Sequence, residues 1–247
     1  MSDEDRTQRG IERSLRIYYD DQRDIAAMDA LYGRFVKAGA LVFDIGSHVG
    51  DRIAAFRRLG ARVVACEPNP SLVPTLRRLY GHDDMVTLEP VAVGPSAGEI
   101  DMRINTDNPT VSTAADDFIK AADGAPGWEG QQWDKTIKVP VTTLDALIMR
   151  HGMPAFIKID VEGFEAEALA GLTQPVAALS FEFTTIQRDV ARACVSRCQA
   201  LGYLRYNAAL GESQALVHND WRSADAIVRW LDALPVEANS GDVYAVR

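Results

Sequence analysis

The chain has 247 residues, 47% hydrophobic and 25% charged, with 26 Lys+Arg against 35 Asp+Glu and a formal charge of −9. That composition suits one large globular domain or two small ones and excludes disordered and collagen-like chains. Excess acid opposes a polyanionic partner, no apolar run approaches the roughly 20 residues that span a bilayer, and the start from Met1 to Arg6 is too charged for a signal peptide. A cytoplasmic protein with no nucleic-acid or membrane partner is expected.

Residues 1–38 form a helical extension, in which Ile11, Leu15, Tyr18 and Tyr19, then Ile25, Met28, Leu31 and Phe35, recur every three to four positions. It suits a lid or a homo-oligomer contact equally. From residue 39 to 247 short apolar runs alternate with turns and helical patterns, the grammar of an α/β domain with a mainly parallel sheet. The first unit is a strand from Ala40 to Asp44, a glycine turn, and a helix with Val49, Ile53 and Phe56 inward that Gly60 stops. The second is a strand from Arg62 to Cys66 and a helix capped by Asn69 with Pro70 at its first position. Met85 to Leu88 is the third strand.

Past Gly94 the pattern breaks into a strand from Glu99 to Arg103 and a polar insertion, about 103–135, carrying Trp128 and Trp133. It reads as a lid whose rings cover an acceptor, although two tryptophans in an insertion also make its small core. Strands follow at 136–141, 155–160 and 177–183, with helices around Leu144 to Met149, Ala168 and Cys194. Strands at 203–207, 214–217 and 243–246 and a helix at 224–231 complete the chain.

Cys66, Cys194 and Cys198 read as buried apolar residues. His48, His82, His151 and His218 lie too far from them for a zinc site. No metal is expected, although clustered carboxylates suit Mg²⁺ or Ca²⁺.

In open parallel sheets ligands bind at the carboxyl ends of the strands, so polar residues there matter most. Asp44 ends the first strand and opens Asp44-Ile45-Gly46-Ser47-His48-Val49-Gly50. A dinucleotide site would want G-x-G-x-x-G without a carboxylate crowding the pyrophosphate. Here a carboxylate at the strand tip suits the ammonium of a methionine moiety, and Glu67, ending the next strand, suits two ribose hydroxyls. The pair points to S-adenosylmethionine, although Asp44 alone also serves as a helix cap and Glu67-Pro68 as a turn.

The sequence resembles the FkbM-type S-adenosylmethionine-dependent methyltransferases over roughly residues 40–185. The resemblance rests on Val42-Phe43-Asp44-Ile45-Gly46 with Gly50, Ala65-Cys66-Glu67-Pro68-Asn69-Pro70, Val91-Ala92-Val93-Gly94, Thr143-Leu144-Asp145 and, most specifically, Ile157-Lys158-Ile159-Asp160-Val161-Glu162-Gly163-Phe164-Glu165. It implies a class I methyltransferase fold, a Rossmann-like seven-stranded mixed sheet whose last strand is antiparallel, and O-methylation of a sugar or secondary metabolite. It also implies that Asp44, Gly46 and Gly50 line the methionine end of the cofactor, that Glu67 takes the ribose, and that Val91 and Ala92 lie near the adenine; Ser47, His48, Pro68 and Asp160 are further candidate cofactor contacts, with a substrate role the alternative for His48. Ser47-His48 departs from the Ala-Asn common in the family.

Alternation puts Phe156, Lys158 and Asp160 on one strand face, and a mid-strand lysine in a covered sheet needs a carboxylate such as Glu162, Glu165 or Glu182, unless its stem reaches solvent. Asp160, Glu162 and Glu182 all fall at strand ends, where three carboxylates meet beside the donor. Asp160 is the candidate base or orienting group, with Glu162 or Glu182 on substrate hydroxyls; Glu165 decorates a helix start. A nicotinamide-dependent oxidoreductase and a non-catalytic cofactor-binding module are the competing readings.

Overall fold

A computed structural model describes residues 2–20 and 25–247. The extension contributes α1 (Asp3–Leu15), a π-helical turn (Arg16–Asp20) and α2 (Ile25–Tyr32). Then follow β1 (Leu41–Ile45), α3 (Asp51–Arg58), β2 (Arg62–Cys66), α4 (Val73–Tyr80), β3 (Val86–Glu89), β4 (Ala92–Val93), β5 (Gly98–Ile104), α5 (Asp116–Ala122), β6 (Lys135–Thr142) and α6 (Leu144–His151). The remainder is β7 (Phe156–Ile159), α7 (Glu165–Ala170), β8 (Ala178–Thr184), α8 (Arg188–Ala200), β9 (Arg205–Leu210), α9 (Ala224–Ala233) and β10 (Ser240–Val246).

The main sheet has the order β3-β2-β1-β7-β8-β10-β9. Pairing is parallel from β3 through β8, and only β10 runs antiparallel to its neighbours. This is the seven-stranded mixed sheet with an antiparallel last strand. Every residue of β1 and β7 is buried, as a sheet covered on both faces requires. One cover packs Ile53 and Phe56 of α3 and Tyr32 of α2 on Val42, Phe156 and Tyr244. The other packs α6 to α9 on Phe43, Ile157, Ile159 and Phe181. Strand order reverses between β1 and β7, which places a ligand crevice at their carboxyl tips. The three cysteines are free and buried.

Two expectations fail. The helix after Glu67 starts at Val73 rather than Pro70, because Asn69 Oδ1 accepts the Ser71 N–H at 3.0 Å and closes a turn first. Residues 214–217 are not a strand. The Asn207 side chain takes the backbone there instead, donating to the His218 carbonyl at 2.8 Å and accepting its N–H at 3.2 Å, which leaves Val217 a single ladder bond to Ala208.

The insertion joins β5 to β6, which pair antiparallel. It carries α5 and its own small core of Val111, Phe118, Ala122 and Trp128, with Trp133 packed on it. Helix α1 lies against it: Arg6 reaches Asp107 at 2.6 Å and Asp134 at 2.8 Å, and Arg13 reaches Asn108 at 2.7 Å. Gly10 is the contact point, where an added Cβ would stand 2.6 Å from Pro109 Cδ and 2.9 Å from the Asp107 carbonyl. Gly10→Val is therefore expected to destabilise the chain by about 1–3 kcal/mol and release α1. Faster amide exchange in residues 3–15 would show it, and exchange unchanged from wild type would refute the close packing.

Candidate active site

A cavity of about 430 Å³ opens at the carboxyl tips of β1, β2, β7 and β8. One half of its wall is Gly46, Ser47 and His48 after β1, Glu67 and Pro68 after β2, Leu72, and Val91 and Ala92 before β5. Asp44 and Gly50 are not on that wall. Asp44 is 1% exposed, stands in register beside Lys158 across β1 and β7, and keeps Oδ2 without a partner among the described residues. Gly50 (φ +87°) is a packing glycine, since a Cβ there would meet Tyr80 Cε2 at 2.5 Å.

Glu67 ties the two loops together. Oε2 accepts the His48 N–H and Oε1 the Asn69 N–H, both at 2.8 Å, and each oxygen keeps a lone pair for a ligand hydroxyl. His48 sits in the left-handed region at φ +48°. Its Nε2 faces Thr110 Oγ1 at 3.3 Å, and Tyr18 meets its ring edge-on at 5.4 Å. Burial pushes the imidazole down to about 4, so it is neutral at pH 7. Tyr18 and Thr110 also line the cavity, so the extension and the insertion close this half together. Both escaped the sequence reading, where Tyr18 was only a helix-face residue and Thr110 carried no signal.

The other half holds Asp160, Glu162 and Glu182, with one carboxylate oxygen of each within 4.8 Å of the others. Lys158 lies beneath, 1% exposed, with Nζ 2.6 Å from Asp160 Oδ2 and 3.6 Å from Asp242 Oδ1. Its partners are thus Asp160 and Asp242 rather than Glu162, Glu165 or Glu182. Asp160 shares its strand face, and Asp242 comes from β10, which the sequence does not align with β7. Glu165 Oε1 instead accepts the N–H groups of Val161 at 2.9 Å and Gly163 at 3.2 Å, fixing the turn that leads from β7 into α7.

Charge divides the trio. Burial would raise Asp160, but the Lys158 ammonium outweighs it and holds the carboxyl below its usual range. Glu162 and Glu182 are pushed well up, first by burial and then by the Asp160 charge. The basic carboxylates are therefore the glutamates rather than Asp160, and Glu182 hydrogen-bonds to Asp160. Glu162 occupies φ +55°, and its carbonyl is pinned by the Thr113 hydroxyl at 2.6 Å.

Trp128 lines the cavity, with its indole N–H unpartnered among the described residues. Trp133 does not: it donates to the Val111 carbonyl at 2.7 Å inside the insertion. Arg52 also lines the cavity, paired with Asp51 at 2.5 Å and with Glu212 at 2.7 Å.

Burial also raises Asp44, Glu67 and Glu165 to about 7. Their unfolded values lie near 4, so the folded state binds more protons between those limits and stability falls as pH rises through about 7. The urea midpoint of the unliganded protein is expected to be higher at pH 5.5 than at pH 7.5. A higher midpoint at pH 7.5 would contradict the burial of these three groups.

Solved structures with this architecture include a TehB-like S-adenosylmethionine-dependent methyltransferase from Corynebacterium glutamicum, 12% identical, with a TM-score of 0.50 over 99% of this chain and 97% of that one. A precorrin-6Y C5,15-methyltransferase from Geobacter metallireducens is 14% identical, with a TM-score of 0.44 over 90% and 88%. A Thermotoga maritima O-methyltransferase is 10% identical, with a TM-score of 0.45 over 94% and 69%. No curated protein matches. The methyltransferase FkbM domain model matches residues 44–230. The cradle suits the donor that this family uses: Glu67 offers two free lone pairs on the wall, and Gly46 admits no side chain, a Cβ there standing 1.7 Å from the Asp160 carbonyl oxygen. The chain belongs to the FkbM methyltransferase family, with S-adenosylmethionine as its methyl donor.

Proposed function

We propose that the enzyme methylates a hydroxyl of a small acceptor, a sugar or a natural product. The observation that carries this reading is the carboxylate trio at one end of the cavity whose other end is built from Gly46, His48 and Glu67. S-adenosylmethionine supplies an electrophilic methyl group on a sulfonium. Ser47, His48, Pro68, Val91 and Ala92 line its cradle, Glu67 takes the ribose hydroxyls, and Asp44 sets the negative potential beneath the methionine end. Asp160, kept ionised by Lys158, accepts a hydrogen bond from the acceptor hydroxyl and orients it. The adjoining Asp160–Glu182 pair receives its proton, and Glu162 holds a second polar group. The 105–134 segment, through Trp128, covers the acceptor and excludes water.

Two measurements test this. S-adenosylhomocysteine is expected to bind with micromolar affinity, about 8 kcal/mol, and at least about tenfold more weakly to Glu67→Ala; absence of binding would sink the reading. Asp160→Asn is expected to lower kcat by about 10²-fold or more while leaving that affinity within about threefold. Equal losses in both would remove Asp160 from the chemistry.

A further inference from the structure

We propose that the acceptor carries a primary ammonium group beside the hydroxyl, as an amino sugar or aminocyclitol does, and that Glu162 and Glu182 hold that ammonium. The proposal deepens the methyltransferase reading and rests on it.

The cations on the cavity wall are already matched. Lys158 is shared by Asp160 and Asp242. Arg52 is bonded to Asp51 and Glu212. Among the described residues no cation stands within ion-pair distance of Glu162 or Glu182, although both face the cavity within 4.8 Å of Asp160. Two glutamates beside an ionised aspartate at such spacing repel one another, and burial together with that repulsion favours their protonated forms until a positive guest offsets the charge. An ammonium fits that need, because its three N–H donors match one oxygen from each of two or three carboxylates.

A second observation points to the rest of the ligand. Trp128 is 8% exposed and lines the same cavity, with no acceptor for its indole N–H among the described residues. A buried donor without a partner is costly, and a ligand oxygen relieves it. The ring belongs to this end of the site: it packs edge-on against Phe118 at 5.0 Å, and a Cβ on Gly163, the residue after Glu162, would stand 2.8 Å from that Phe118 ring. Carboxylates for a cation and an N–H for an oxygen together describe an amino alcohol rather than a neutral polyol or an acid. The same contact settles which atom reacts: a nitrogen held as ammonium has no lone pair, so the hydroxyl is left as the nucleophile.

The test uses the whole 247-residue chain saturated with S-adenosylhomocysteine, whose own binding isotherm is recorded first; failure at that step refutes the methyltransferase reading itself. Glucosamine and 2-deoxystreptamine are then titrated against glucose, myo-inositol and N-acetylglucosamine, and Mg²⁺, Ca²⁺ and Mn²⁺ are titrated separately. The amines are expected to bind at least about tenfold more tightly than their uncharged counterparts. Their binding should release protons, read from the dependence of the heat on buffer ionisation. Glu162→Gln and Glu182→Gln should each weaken the amines by about tenfold while leaving the cofactor product within about threefold. With the cofactor product bound, three results would each overturn the proposal: uncharged sugars binding as well as the amines, no amine binding, or a divalent cation binding tightly and being lost in Glu182→Gln.

Discussion

Lys158→Met is expected to lower the thermal midpoint by on the order of 10 °C, because removing one partner of a buried ion pair costs about 3–5 kcal/mol and a chain of this size loses roughly 2–4 °C per kcal/mol. Lys158 is 1% exposed, and its ammonium is the charge shared by Asp160 and Asp242. Asp44 stands in register beside it with one oxygen unpartnered. Methionine fills the same volume, so the loss reports charge rather than a cavity. The pH dependence identifies the cause. In the wild type Asp160 is held below its usual range, so its contribution is present above the unfolded value near 4 and disappears as pH falls through the folded one. Without the ammonium, burial raises that carboxyl, and its contribution is instead present at low pH and lost as pH rises. The gap between variant and wild type should therefore widen from pH 5 to pH 7.5 in urea melts. A drop below about 3 °C with no pH dependence would mean that the lysine head escapes to water along its stem.

Legibility in the sequence followed the range of the forces involved. Strand periodicity and strand-end chemistry are local, so β1, β2, β7 and β8 and the convergence of Asp160, Glu162 and Glu182 were readable from single runs of residues. Lys158's need for a carboxylate was readable too. Its partner Asp242 was not, because β10 reaches the site only through antiparallel insertion between β8 and β9. The same reason hid Arg52 with Glu212, and Tyr18 over His48: each pair joins segments whose adjacency no local pattern encodes. The false strand at 214–217 failed differently. Its short apolar run, Ala215 to Val217, suits a strand, but the Asn207 side chain satisfies the backbone that a ladder would otherwise use. Trp133 turned inward because its N–H found the Val111 carbonyl, a bond inside the insertion itself.

Gly46→Ala is expected to be the most damaging single methyl group in the chain, with more than about 4 kcal/mol lost and the cofactor product no longer bound. At φ +83° any L side chain is strained, and here the added Cβ would lie 1.7 Å from the Asp160 carbonyl oxygen, 2.8 Å from its carbon and 3.2 Å from Val161 Cγ1. The two nearer atoms are backbone at the tip of β7, so a rotamer change does not relieve the clash; β1 and β7 must part where cofactor and acceptor ends of the cavity join. Gly39→Ala is the control. It has nearly the same φ, +80°, with nothing within 4 Å of the new Cβ, so it reports the left-handed strain alone, about 1 kcal/mol. The difference between the two urea midpoints isolates the clash. The functional signature differs from that of Asp160→Asn, which removes a charge and spares the cofactor, whereas moving the Asp160 backbone should cost cofactor affinity and turnover together. A Gly46→Ala protein as stable as Gly39→Ala and still binding S-adenosylhomocysteine would mean that the two strand tips separate freely, and the close apposition of donor and carboxylates would then owe nothing to this contact.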